Sequence, residues 1–397
     1  MSSDPNKRVV LITGTTGGLG AHILEHMLKT RAAVRIFGLN RSVIGGPSAT
    51  DRQKTAFQSR GLDANLLEDP IFTLIAANSL EDIPSKTREE LESGLTHILH
   101  FAYPVNFNLT LASFEPSVQF TQSLLELAAR VTKANPKIKP NFVFASSVAT
   151  LASFKGREDE WVEESQVEMA SCLGGGYGES KRVCEEIIEA YVKAHGFTAV
   201  ILRIGQMCGS RQHGAWNMSE WLPLLVQSAV TLGCLPNGAD NVAWLPVDEA
   251  AIVINELSFH PRLESEPFVY RHVVHPRATT WSNIMQPIAR WISENVKPPT
   301  PIELVSYPVW LAKLTAKIEA GAPASLGAAK LIEFYSSSPS LHDQAQPGTE
   351  ALGVRRLVTT RSEAESPRLR ECKPLSEADA LGWLEYWNRM GHFNHKA

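Results

Sequence analysis

The stretch VVLITGTTGGLGAHILEHML, residues 9–28, sets a run of apolar, largely β-branched residues directly against glycines at positions 14, 17 and 20, followed by an amphipathic pattern. Residues 9–13 read as a buried strand and the residues after Gly20 as a helix, so the glycines occupy the turn between them. A pyrophosphate reaches the N–H groups at the amino end of a helix, and the positive end of its dipole, only where no Cβ intervenes. Gly14, Gly17 and Gly20 make that room, with Thr16 and Leu19 beside them. A tight turn that needs glycine only for packing is the competing reading. A clear strand before and a helix after favour a nucleotide-binding turn.

Outward from this turn, short apolar runs alternate with helical patterns. VRIFGL (34–39), IFTLIA (71–76), HILHFA (97–102), NFVFASS (141–147) and AVILRIG (199–205) read as further strands, separated by amphipathic stretches such as EPSVQFTQSLLELAARV. That alternation predicts an α/β fold, a Rossmann-type doubly wound parallel sheet. FVYRHVVH (268–275) is expected to rejoin the sheet as a late strand. The domain reading is therefore a nucleotide-binding domain over 1–207, with a return segment near 245–275. A smaller, mainly helical substrate domain takes 208–244 and 276–397. Within it, the polar stretch 336–353 reads as a mobile loop, and the last helical pattern places Leu381, Leu384 and Trp387 in a core.

Composition excludes several classes. The 397 residues are 44% hydrophobic, enough for a large core. With 38 basic and 42 acidic residues the formal charge is -4, which gives no general attraction to nucleic acid or anionic membrane. Five cysteines without a C-x-x-C pair argue against a disulfide framework or a zinc knuckle; no metal is expected. No signal-like segment and no run of membrane-spanning length is present, so the expected location is cytoplasmic.

The end of the second strand selects the nucleotide. Folds of this kind that take NAD place an acidic residue there for the ribose 2′-hydroxyl, but this chain has Asn40 and Arg41. An arginine suits a 2′-phosphate by charge and by its fork of donors, so the expected cofactor is NADPH. Arg52 and Lys54 are alternatives for that contact, and Arg41 as a solvated surface residue is the plain reading.

In GGGYGESKRVCEEI, Tyr177 and Lys181 lie four apart, on one face of a helix. Tyrosine is a poor acid or base near neutrality, and an adjacent ammonium favours its phenolate and makes proton exchange with a carbonyl oxygen practicable. The pair follows Ser147 by thirty residues, and Ser147 ends a strand at the edge where open α/β sheets bind ligands. Ser147 is the expected second donor to a reacting carbonyl, with Ser146 as its alternate.

Together TGTTGGLG, the serine after strand five and YGESK resemble the extended short-chain dehydrogenase/reductase superfamily. More narrowly, ILHFAYPVNFNLTLASFEP, LRIGQMCG, GAWNMSEWLPLLVQSAVTLGCLP, WLPVDEAA and SPRLRECKPLSEADALGWLEYWNRMGHF resemble the thioester reductase domains that end fungal adenylate-forming reductases, nonribosomal peptide synthetases and polyketide synthases of secondary metabolism. The likeness implies that NADPH gives a hydride to an acyl group held as a thioester on the phosphopantetheine arm of a carrier protein. It implies Ser147 and Tyr177 at the carbonyl oxygen and Lys181 at the nicotinamide ribose. It also implies Ala102 and Ile204 at the cofactor, with Gln206 and the GAWNMSEW residues Trp216, Asn217 and Trp221 at the acyl group. Core packing is the competing reading for both tryptophans. Asp248 is expected to cap a helix.

Relatives of this kind usually stand behind a carrier domain, and no carrier segment is read here. An excised domain, a reductase meeting an acyl or peptidyl carrier protein in trans, and a reductase of free aldehydes or other small carbonyl compounds remain open, with carrier dependence separating them. A non-catalytic NADP-binding sensor has no use for Ser147, Tyr177 and Lys181 together.

Overall fold

The computed structural model describes residues 7–157, 160–238, 241–261, 265–321, 326–336, 350 and 355–393. The stretch 336–353 expected as a loop lies almost wholly outside the described residues. Seven strands, β1 (Val9–Thr13), β2 (Arg35–Asn40), β3 (Phe72–Ala76), β4 (His97–His100), β5 (Asn141–Ser147), β6 (Thr198–Ile204) and β7 (Phe268–Val273), form one sheet. Every pairing in it is parallel. The order is β7-β6-β5-β4-β1-β2-β3, so the direction of winding reverses between β1 and β4 and opens a crevice at their carboxyl ends.

The helices are α1 (Gly18–Thr30), α2 (Ala49–Gln58), α3 (Ser85–Gly94), α4 (Glu115–Ala134), α5 (Gly176–His195), α6 (Trp221–Leu232) and α7 (Val247–Phe259). Residues of α1 and α7 pack into an apolar core on one face of the sheet, and residues of α3, α4 and α5 into a core on the other. Sheets buried on both faces need strands that are apolar along their length, and β5 and β6 are buried at every position. β4 stops at His100 rather than running on to residue 102. There the chain turns over the end of β1, where Phe101 and Ala102 N–H both donate to Thr13 Oγ1, at 3.1 and 3.0 Å. Among the described residues no helix is long and apolar enough to cross a membrane.

A third core is built from 208–244 and the helical part beyond residue 276, which includes α8 (Trp281–Asn295), α9 (Tyr307–Glu319) and a closing helix, Glu377–Arg389. Its centre is aromatic. Trp216 stands edge-on to Trp383 at 5.0 Å, Trp221 stacks on Trp281 at 6.2 Å, and Trp244 stands edge-on to Trp221 at 5.6 Å. Each buried indole is worth about 4–6 kcal/mol of transfer free energy as an upper bound. An exposed ion pair such as Arg290–Glu377 is worth about 0–1 kcal/mol. The rings, not the surface charges, hold this part together. Leu384 and Trp387 are fully buried in it, while Leu381 is half-buried.

Two polar clamps fix chain segments against the sheet and its helices. Asp248 is the second residue of α7 and not its cap, a position taken by Pro246. Its carboxylate accepts from Arg211 N–H and Gln212 N–H, both at 3.1 Å, and from Ser210 Oγ at 3.0 Å, fixing the crossing segment. Glu164 holds the segment 355–371 along the β7 edge. It accepts from His272 N–H at 3.0 Å, Arg361 N–H at 2.6 Å, Ser362 N–H at 3.2 Å and the Ser362 hydroxyl. Glu164→Ala leaves the buried N–H groups of His272 and Ser362, and the partly buried one of Arg361, without that acceptor. We expect a loss of about 3 kcal/mol in chemical denaturation, and an unchanged midpoint would contradict the clamp.

Candidate active site

The glycine turn lies at the crevice. Gly14 has φ +79°, and a Cβ there would stand 2.8 Å from Ala102 N. A Cβ on Gly20 would stand 2.2 Å from the Gly14 carbonyl oxygen. Both glycines are therefore demanded by the chain's own packing. Above them the surface is open: a Cβ on Gly18 would meet nothing within 4 Å, and one on Gly17 only the Gly14 oxygen at 3.2 Å. No side chain caps α1 and no acidic residue stands in its first turn, so the amino end of the helix keeps its positive field. These features fit the pyrophosphate of a dinucleotide.

Asn40, at the end of β2, turns inward. Its amide donates to Thr15 Oγ1 at 2.6 Å and to Gln53 Oε1 at 3.2 Å, while Gln53 donates to the Thr15 carbonyl at 2.9 Å. Asn40 thus braces the glycine turn. Arg41 is exposed, and its carbonyl oxygen accepts from Arg52. Arg52 lines a cavity of about 370 Å³ with Thr16, Pro47, Thr55, Ala56, Ser59 and Arg60. Its buried Nε lacks a hydrogen-bond partner. Two cations therefore stand where an acidic residue would otherwise select NAD.

Ser147, Tyr177 and Lys181 come together at the carboxyl end of β5. The Ser147 hydroxyl accepts from Ala149 N–H at 3.1 Å, which starts the short turn 148–151, and it stands near enough to the Tyr177 phenol to favour its ionised form against burial. α5 can lie against that turn because a Cβ on Gly178 would stand only 2.4 Å from the Ala149 oxygen. Lys181 Nζ donates to the Ala145 carbonyl at 2.6 Å and lies 3.6 Å from the centre of the Tyr103 ring. Burial pulls the Lys181 ammonium down to about 7. Burial also pushes the Tyr177 phenol up to about 12, against the hydrogen bond from Ser147. The Lys181 ammonium stands 5.7 Å from the centre of the Tyr177 ring, and burial is the largest influence on the phenol.

Ser146 is not an alternate to Ser147. It is 3% exposed and donates to Glu185 Oε1 at 2.5 Å, inside the sheet–helix interface. Beside the site, Ile204 ends β6 and Gln206 accepts from Trp221 Nε1 at 2.9 Å. Trp221 reaches Phe334 at 6.1 Å, Phe334 reaches Phe107 at 6.3 Å, and Phe107 stands edge-on to Tyr177 at 5.3 Å. These rings form an apolar wall that ends on the Tyr177 phenol. Trp216 lies instead in the aromatic core, with Nε1 donating to Glu220 at 2.9 Å, and Asn217 is an exposed turn residue whose side chain accepts from Ser219 N–H at 3.1 Å. Phe107, 55% exposed, and Tyr103 were not anticipated as site residues. Both follow β4 in a stretch without periodicity, and only their place after a strand end could have suggested them.

The comparisons with known proteins agree with this geometry. A family model described as male sterility protein matches residues 12–254, more than half of the chain. The adenylate-forming reductase Nps11 of Serpula lacrymans var. lacrymans (strain S7.9) is 32% identical over 97% of this chain and 35% of its own length. The chain thus spans about a third of the curated relatives it matches. Among solved structures, the terminal R domain from the myxalamid PKS-NRPS biosynthetic pathway superposes with a TM-score of 0.77 at 22% identity, covering 99% of this chain and 93% of that one. A thiolation-reductase di-domain from an archaeal non-ribosomal peptide synthetase gives 0.71 at 16% identity, covering 98% and 76%. At such identities the likeness speaks for the fold. The chain belongs to the male sterility protein family, nicotinamide-dependent oxidoreductases of the extended short-chain dehydrogenase/reductase superfamily, and resembles the reductase domains of adenylate-forming reductases and of peptide and polyketide synthases.

Proposed function

We propose that the chain is an NADPH-dependent thioester reductase, which releases an acyl or peptidyl group from the phosphopantetheine arm of a carrier protein as an aldehyde. The observation that carries this reading is the convergence of the Ser147 and Tyr177 hydroxyls beside Lys181, at the same sheet edge as the uncapped amino end of α1. The relatives support it, since one solved neighbour joins a thiolation unit to its reductase. NADPH, bound through the glycine turn with Arg41 and Arg52 toward its 2′-phosphate, would supply the hydride.

The chain's own groups do the rest. Ser147 and Tyr177 donate to the thioester carbonyl oxygen, and their bonds strengthen as negative charge grows there, which lowers the barrier more than it aids ground-state binding. The Tyr177 proton passes to that oxygen, giving a thiohemiacetal. Lys181 holds the ribose side and offsets the charge left on Tyr177. Collapse then breaks the C–S bond, the pantetheine sulfur leaves as a thiol with the hydroxyl proton, and the aldehyde departs. The wall of Phe107, Phe334 and Trp221 takes the acyl chain and keeps water from the reacting carbon. A second reduction of the aldehyde to an alcohol would use the same groups.

The deciding assay follows NADPH oxidation and identifies products, with matched acyl groups offered as pantetheine thioesters and as free aldehydes. Thioester consumption with aldehyde release is expected; turnover of the aldehyde alone would make the protein a carbonyl reductase. Tyr177→Phe is expected to lower kcat by about 10²–10⁴ while the Kd for NADPH stays near normal, and unchanged turnover would remove Tyr177 from the chemistry. Arg41→Ala and Arg52→Ala are each expected to weaken NADPH binding about tenfold in a fluorescence titration and to leave NADH binding unchanged. If neither changes the ratio of the two affinities, the 2′-phosphate assignment fails.

A further inference from the structure

α5 is tied to the end of β5 at three successive turns. Tyr177 meets the Ser147 hydroxyl, Lys181 donates to the Ala145 carbonyl at 2.6 Å, and Ser146 donates to Glu185 at 2.5 Å. Tyr177, Lys181 and Glu185 are four apart and form one stripe on the helix. Glu185 is 0% exposed, and so is Arg203 of β6, the register partner of Ser146. Arg203 grips it twice, Nε to Oε1 at 3.2 Å and Nη2 to Oε2 at 3.0 Å, and donates through Nη1 to the Ser165 carbonyl at 2.8 Å.

A pair buried this deeply is costly to desolvate, and two apolar residues of like volume would hold a helix on a sheet as well. An apolar pair would not set the helix in one axial register, nor place a fixed negative charge one turn from an ammonium. We propose that Glu185, held by Arg203 and Ser146, is a positioning residue that sets the reach and the charge of Lys181, and through Lys181 the readiness of Tyr177. This rests on the reading of Tyr177 and Lys181 as the proton-handling pair.

The groups facing Lys181 support that role. From β4 comes His100, pushed down to about 3 by burial and neutral, bonded to Thr13 of β1 and Thr121 of α4 at 2.9 and 3.0 Å. After β4 comes Tyr103 and from β5 Phe144, both offering ring faces; burial pushes the Tyr103 phenol up. From α5 come Tyr177, Cys184, whose thiol burial pushes up, and Glu185. Arg203 and Arg182 stand behind Glu185, and Tyr270 of β7, a phenol pushed up by burial, lies under Arg203. Burial works against the Lys181 charge, and Cys184 and Glu185 work for it, Glu185 through its fixed place one turn along α5.

The sign of each substitution follows. Glu185→Gln removes the anion and leaves Arg203 uncompensated, so Lys181 loses its proton at lower pH. Arg203→Gln leaves the anion and does the reverse, and the double variant cancels. The test is a pH titration of 15N-labelled lysine side chains by NMR, with the Lys181 signal assigned by its loss in Lys181→Met. The midpoint is expected to fall by about one unit in Glu185→Gln, to rise in Arg203→Gln, and to return near wild type in the double variant. Equal midpoints in all four proteins would overturn the proposal. Should the charge variants fail to fold, Ser146→Ala removes one hydrogen bond and no charge; kcat several-fold below wild type with an unchanged Kd for NADPH is expected, and wild-type kcat overturns it. The titration needs no substrate, so a wild-type protein inactive on thioester and aldehyde would fail the proposed function separately.

Discussion

The candidate site depends on the register between α5 and the last three residues of β5. A hydroxyl, an ammonium and a carboxylate, each one helical turn from the next, meet Ser147, Ala145 and Ser146. Because a helix advances about 5.4 Å per turn and a strand about 3.3 Å per residue, such a match holds at one axial setting only. A slip of one residue would turn Tyr177 off Ser147 and carry Glu185 away from Arg203. The polar contacts are thus less a source of stability than a means of excluding neighbouring arrangements of the same apolar interface.

The parallel sheet supplies the other half of the site without side-chain chemistry. Reversal of winding between β1 and β4 leaves the crevice, and Thr13, Ala102 and Gly14 meet there closely enough that only glycine fits at position 14. The exposed rim of the same turn, at Gly17 and Gly18, is open because the packing beneath it is tight. Asn40, Thr15 and Gln53 brace this turn from below, which leaves the positive charge beyond β2 to Arg41 and Arg52.

The aromatic core beyond residue 207 has a different task. Its centre is a cluster of buried indoles, and from its edge Trp221 and Phe334 run toward Phe107 and Tyr177. The clamp at Asp248 ties residues 210–212 to α7, and the clamp at Glu164 ties residues 361–362 to β7, both through backbone N–H groups.

Much of this was legible in the chain before folding. Strand-length apolar runs, the strand-to-helix glycines and the four-residue spacing of Tyr177 and Lys181 are local patterns, and local patterns dictate a parallel α/β sheet with a glycine turn and with Tyr177 and Lys181 on one helix face. Tertiary structure alone decided that Ser146 turns to Glu185 and leaves Ser147 toward Tyr177, that Asn40 turns inward, and that Trp216 packs among indoles while Trp221 also reaches Phe334. Those outcomes depend on burial and on partners far away in the sequence, such as Glu185 with Arg203, or Thr15 with Gln53. A residue's periodicity tells which face it shares with its near neighbours. What it faces, and how much water is left around it, is settled only when distant elements close over it.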